Sequence, residues 1–233
     1  MPPDNCCCVT KPFKNTDTDA CKKIFWEDPY LTCLVTTITS MEDQVITLTE
    51  TIVYSFAGGQ QSDDATVDGI KIVDPRKSGT AIFYTVERAD GLFVGKEVEL
   101  EINWEKRSRI MKLHFAAELV LELMNQHYDR PVKFGANITS EKSRVDFIWE
   151  RDISETFPLL EQRLRKLIIA DLPIESLFVD EAAEIRCWRI RGFGQVHCGG
   201  THIKRTGELG QLTLKRKTQG KNKERIEIYL AAV

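Results

Sequence analysis

An α+β fold is what this sequence predicts, with a small antiparallel β-barrel ahead of an α+β unit, and three observations carry that expectation. Between residues 31 and 104, short runs rich in Val, Ile, Thr and aromatic residues follow one another, separated by turn residues and without helical periodicity. Near residue 105 the spacing of apolar residues changes to three and four, the signature of a helical stripe. Strands and one further helix then come in segregated runs rather than strict alternation, which reads as α+β.

Taken in order, residues 1–22 carry Pro, Asn, Thr and Asp without apolar periodicity and are expected to form a flexible extension, with order beginning near Ile24. The barrel is assigned to 23–103, with strands at 31–39, 45–54, 65–73, 80–87 and 97–104. Within 105–127, Ile110, Leu113, Ala117, Val120, Leu121 and Met124 form one apolar stripe, and His114 and Glu118 are neighbours on a face bordering it. Strands are expected at 132–138 and 144–149, a helix from about 155 to 170 stopped near Pro173, and strands at 184–190, 211–217 and 225–230. Residues 104–233 form the second unit.

Composition excludes some classes. A net charge of −3 over 233 residues gives no global nucleic-acid signal, yet residues 203–233 hold eight Lys or Arg against three Glu, so this end is basic. No run approaches the roughly 20 apolar residues that span a bilayer. The start, Met-Pro-Pro-Asp-Asn-Cys-Cys-Cys, has neither a basic n-region nor an apolar h-region, so a soluble cytoplasmic protein is expected. Seven cysteines, an odd number, do not read as a disulfide framework, and Cys6, Cys7 and Cys8 are taken as part of a reduced tail.

The chemistry concentrates at Cys198-Gly199-Gly200-Thr201-His202. A thiol and an imidazole four residues apart across two glycines can converge on one metal ion, although a buried cysteine and a surface histidine in a Gly turn would look the same. His114 and Glu118 supply a second pair, and together the four make a mixed thiolate, imidazole and carboxylate set that suits zinc better than magnesium or calcium. His197 is a poor substitute ligand, because adjacent side chains in an extended segment point to opposite faces. Lys106, Arg107, Arg109 and Lys112, with Lys204, Arg205, Lys215, Arg216, Lys217, Lys221, Lys223 and Arg225, are candidates for a phosphate-binding surface.

Three segments together carry a resemblance. Trp104-Glu105-Lys106-Arg107, Met111 and His114-Phe115-Ala116-Ala117-Glu118-Leu119 resemble the editing-site helix of alanyl-tRNA synthetases and their free-standing AlaX-type relatives, where a His-x-x-x-His pair follows a basic stretch. Cys198 to His202, followed by Thr206-Gly207-Glu208-Leu209-Gly210, resembles the family's second metal-binding motif. Glu50-Thr51-Ile52-Val53-Tyr54, leading into Gly58-Gly59-Gln60 and Ser62-Asp63, resembles the glycine-containing motif of the barrel preceding that domain. The match runs in order over roughly 24–231, and the barrel points to the medium-length form.

The resemblance implies an editing domain of the threonyl/alanyl-tRNA synthetase second additional domain type. It implies zinc at His114, Glu118, Cys198 and His202, and a trans-editing hydrolase acting on tRNA(Ala) carrying serine or glycine. Gly58, Gly59 and Gln60 would bind substrate with Thr51, whose hydroxyl would separate serine from alanine; Lys106, Arg107, Arg109, Lys215, Arg216, Lys217, Lys221 and Lys223 would meet the tRNA. One departure matters: Glu118 stands where the family has its second histidine. It reads as a fourth ligand, as a base accepting a proton from water, or as the mark of a decayed site. A non-catalytic tRNA- or protein-binding relative, or a metal hydrolase of another aminoacyl ester, are the corresponding alternatives.

Overall fold

The computed structural model describes residues 21–231, so Cys6, Cys7, Cys8 and nearly all of the expected extension lie outside the described residues. Packing begins a little earlier than expected: Cys21 is buried, ahead of a two-residue strand, β1 (Lys22–Lys23), and one helical turn, α1 (Ile24–Glu27).

Seven strands follow: β2 (Cys33–Glu42), β3 (Val45–Leu48), β4 (Glu50–Thr51), β5 (Ala65–Val67), β6 (Ile70–Ser78), β7 (Ala81–Val86) and β8 (Glu97–Ile102). Six of them close into a barrel in the order β2-β3-β7-β6-β5-β8, while β4 pairs in parallel with β1. Ile46, Leu48, Val67, Tyr84, Val86 and Leu100 fill its interior, as the alternation of apolar residues along each strand requires. The single strand expected at 65–73 is instead a hairpin. Asp68 and Gly69 both take positive φ between β5 and β6, the conformation that an Asp-Gly two-residue turn favours. The run expected at 45–54 likewise divides into β3 and β4, and residues 52–54 belong to no strand.

The side-chain oxygen of Asn103 accepts from the Lys106 N–H at 3.0 Å and caps the long helix α2 (Trp104–His127). Its burial exceeds one stripe. Met111, Phe115, Ala116, Leu119 and Leu123 are buried along with the expected positions, because the helix is packed from several sides. Leu121 is only partly buried, at the edge of this cluster. Strands β9 (Lys133–Ile138) and β10 (Ser143–Ile148) come next, then a short 3-10 turn and helix α3 (Phe157–Ala170). Two elements were not expected: β11 (Glu175–Asp180) and β13 (Gly194–His197) flank β12 (Ile185–Ile190) in a three-stranded antiparallel sheet. β14 (Leu212–Thr218) and β15 (Lys223–Leu230) complete a four-stranded antiparallel sheet ordered β14-β15-β10-β9. Val145, Phe147, Ile226 and Ile228 from that sheet share the core of α2. The mixed α+β architecture is as expected. No helix among the described residues is long and apolar enough to cross a membrane.

One ion pair ties the start of α2 to the barrel, and it corrects an expectation. Arg107 was expected on a phosphate-facing surface, but it is 0% exposed. Its Nε donates to Asp63 Oδ1 at 2.8 Å, its second terminal nitrogen pairs with Asp63 Oδ2 and donates to Ile52 O at 2.6 Å, and its first donates to Pro29 O at 3.0 Å. Four of its five N–H groups are so engaged and none of the side chain is exposed, so it is out of reach of a phosphate. Removing one partner of such a buried pair strands the other without water, so Arg107→Met should cost about 3–5 kcal/mol. The double variant Arg107→Met, Asp63→Asn should recover part of that loss in chemical denaturation; equal stability of wild type and Arg107→Met would refute this role.

Candidate metal centre

His114 comes from the middle of α2, and Cys198 and His202 from the loop after β13. Their donor atoms all lie within 4.8 Å of one another. Cys198 Sγ is 3.4 Å from His114 Nε2 and 3.3 Å from His202 Nε2. Both histidines are buried, and Cys198 is half-buried. This is a cluster that could hold a metal ion. His197 is exposed, in register with Cys187 across the sheet and outside the cluster.

His114 and the Cys198 loop are held from behind. The Gln60 side-chain oxygen contacts His114 Nδ1 at 2.6 Å and accepts the Thr201 N–H at 3.2 Å, while its amide nitrogen donates to Thr201 Oγ1 at 2.9 Å. An amide oxygen can only accept, so His114 Nδ1 carries the proton and Nε2 turns to the thiol. That is the outer-shell arrangement typical of a metal-ligating histidine. Cys198 N–H donates to Arg186 O at 2.9 Å, and the Trp26 indole N–H donates to Gly199 O at 2.8 Å.

Two glycines are there because nothing larger fits. A Cβ on Gly200 would sit 2.0 Å from His114 Cε1. One on Gly59, at φ +87°, would sit 2.8 Å from Ala136 O. Gly59 O accepts the Ile138 N–H at 2.8 Å, so the Gly58-Gly59-Gln60 loop lies along β9 and delivers Gln60, 1% exposed, to the histidine.

The electrostatics of the three donors and Glu118 are coupled. Burial alone would lower the His114 pKa, but the Cys198 thiolate and Glu118 outweigh it and raise it to about 10. Burial likewise works against a Cys198 thiolate, yet His114 and His202 bring it down to about 6. Glu118, raised by burial, is carried down to about 2 by His114, His202 and the Trp188 indole. Protons and a metal ion would compete for these atoms.

Glu118 stands beside the cluster. One carboxylate oxygen is 3.6 Å from His114 Nε2 and the other accepts the Trp188 indole N–H at 3.2 Å, but Glu118 is not within the 4.8 Å set. Thr51 is 0% exposed, and its hydroxyl oxygen accepts from Tyr84 O–H at 2.7 Å and Val53 N–H at 3.0 Å. No hydrogen bond joins Thr51 to the three donors. Among the basic candidates, Lys106 pairs with Asp64 at 2.6 Å. Arg216 is engaged by Glu224 and Asp152, each at 2.6 Å, which leaves it a poor phosphate ligand. Arg109, Lys215, Lys217, Lys221 and Lys223 are exposed. Trp26, Arg186 and Trp188 escaped the sequence reading, because they reach the site from α1 and β12, which only the tertiary packing brings to it.

Gln60→Leu keeps the volume of the side chain and removes all three of its hydrogen bonds. It should weaken metal affinity by about 10- to 100-fold, as read by competition with a chromogenic chelator; wild-type affinity would dismiss the bridge as incidental.

No family model matches the chain. Alanyl-tRNA editing protein AlaX-M of Pyrococcus horikoshii is 29% identical over 221 residues, covering 90% of this chain and 97% of that protein. Two alanine–tRNA ligases match more distantly: that of Methanococcus maripaludis is 23% identical across 97% of this chain, and that of Sulfurisphaera tokodaii 28% across 83%. The chain corresponds to only 28% and 24% of those ligases' lengths. Its resemblance is thus to the alanyl-tRNA editing proteins, over nearly the whole length of a free-standing one.

Proposed function

We propose that this protein is a zinc-dependent deacylase that hydrolyses serine, and also glycine, from mischarged tRNA(Ala). The convergence of His114, Cys198 and His202 carries the reading, supported by the similarity to an alanyl-tRNA editing protein. The barrel and the residues after it act as two parts of one enzyme, 23–103 supplying the glycine loop and 104–233 the editing domain.

The donor set fits zinc. One thiolate and two imidazoles match its preferred ligands, and the sulfur–nitrogen distances of 3.3 and 3.4 Å are close to the edge of about 3.5 Å expected for tetrahedral zinc. Zinc bound by three protein ligands supplies Lewis acidity toward an ester carbonyl and lowers the pKa of water. Gln60 orients His114, and Gly200 lets the loop approach the imidazole closely.

Glu118 is best read as the base. Its carboxylate lies 3.6 Å from the donor atom of His114, held by Trp188 on the far side, and stays outside the ligand cluster. From there it can take a proton from the water attacking the ester and return it to the ribose oxygen that leaves. A carboxylate held well below the usual range is a weak base, so its contribution depends on position. The exposed Lys215, Lys217, Lys221 and Lys223, with Arg109, offer the acceptor strand its phosphate contacts.

Glu118→Gln should therefore retain zinc by metal analysis and slow deacylation of seryl-tRNA by about 10²-fold or more. Loss of zinc together with activity would show Glu118 to be a fourth ligand instead. A wild-type protein that binds tRNA but holds no zinc and leaves seryl-tRNA intact would defeat the hydrolase reading.

Reversing Lys215, Lys217 and Lys221 to Glu should weaken tRNA binding and flatten its dependence on salt, by about one unit of slope for each phosphate no longer neutralised, without altering metal content. An unchanged slope would remove this surface from the interface.

A further inference from the structure

Arg186 is a buried cation with no carboxylate of its own. It is 5% exposed and takes part in none of the ion pairs found among the described residues. Its guanidinium lies between the rings of Trp26 and Phe178, 5.2 and 5.0 Å from their centroids, and one terminal nitrogen donates to Trp26 O at 3.0 Å. Its Nε is buried with no hydrogen-bond partner among the described residues. Desolvation of this kind is costly unless something repays it. Burial works against its charge, and the Cys198 thiol that opposes this is committed to the metal cluster.

A second donor nearby is in the same position. His202 turns Nε2 toward Cys198, and its Nδ1 is buried without a hydrogen-bond partner among the described residues. A metal-ligating histidine ordinarily gives that second N–H to an acceptor. Arg186 and His202 line one half-open cavity of about 180 Å³, together with Trp26, Ser176 and Lys204. Glu27 is at its rim but is paired with Lys22 at 3.0 Å, and Lys204 is paired with Asp28 at 3.2 Å, so the rim is close to neutral and the uncompensated charge lies inside. The volume is below that of a pocket for a drug-sized ligand, which suits one small group.

We propose that this cavity is a subsite for a single phosphate-type oxyanion, held by Arg186 Nε–H and His202 Nδ1–H on the far side of His202 from Cys198. Two sources share that chemistry: a phosphodiester near the acceptor end of a bound RNA, and free inorganic phosphate. The RNA source rests on the editing reading; the subsite does not.

Calorimetric titration of the full-length protein with inorganic phosphate tests the subsite. Saturable one-to-one binding is expected in wild type, weaker by about tenfold or more in Arg186→Gln and partly kept in Arg186→Lys. Ser176→Asp, at an exposed strand position on the cavity wall, adds a like charge without touching the contacts of Arg186 and should also weaken phosphate. Absence of saturable binding in wild type, or equal affinity in Arg186→Gln and Ser176→Asp, would overturn the subsite.

A non-aminoacylated acceptor-stem RNA with its last phosphodiester replaced by a neutral methylphosphonate separates the sources. If the RNA supplies the anion, the replacement weakens binding to wild type and not to Arg186→Gln. If phosphate binding depends on Arg186 but the replacement acts equally on both proteins, the subsite holds and its ligand is free phosphate. Failure of deacylation by wild type would defeat the proposed hydrolase and leave the phosphate titration standing.

Discussion

The carboxamide of Gln60 is where the separate parts of this structure meet. It belongs to a loop of the barrel, yet it contacts His114 of the long helix at 2.6 Å and bonds Thr201 of the Cys198 loop through both of its ends. A side-chain amide offers one acceptor and one donor end, so this one group selects the tautomer of the histidine and the position of the loop together. Helix, loop and barrel are far apart in sequence, and without this bridge His114 could rotate away from the thiol. The backbone of Gly59 makes the bridge reachable by pairing with β9, which a side chain there would prevent.

Charge is managed differently at the two interfaces around this bridge. Between barrel and helix, Arg107 is neutralised by Asp63, bonded to two carbonyl acceptors and fully buried, so the contact is closed and structural. Between α1 and the three-stranded sheet, Lys23 and Lys77 share Glu184 and both lie over the Trp26 ring, which latches that sheet to the barrel. Arg186 meets the same ring from the sheet side with no carboxylate, and it supports the Cys198 backbone through its own carbonyl. One open charge among otherwise closed pairs is what distinguishes a ligand-facing group from a structural one.

Much of the fold was legible because its signals are local. The change of apolar spacing near residue 105 marked α2 within a residue or so, and the β-branched runs marked most strands. The errors also have local causes. Asp68-Gly69 is an Asp-Gly turn signal inside what reads as one continuous run, and β11 and β13 are short strands whose exposed residues lack the apolar alternation of a half-buried sheet. The stripe on α2 was read too narrowly because periodicity reports one buried face, while this helix is packed on several.

By itself the sequence determined the donor types. A thiol and an imidazole across two glycines, with a histidine one helical turn before a carboxylate, limit the chemistry whatever the fold, because ligand preference is a property of the side chain. Only the tertiary structure decided which of those groups converge. It brought His114, Cys198 and His202 together and left Glu118 beside them, buried Arg107 against Asp63, paired Arg216 with Glu224 and Asp152, and enclosed the Thr51 hydroxyl beside Tyr84. Burial and pairing arise from contacts between residues dozens of positions apart, and a charge reads the same in sequence whether water, a carboxylate or a cavity surrounds it.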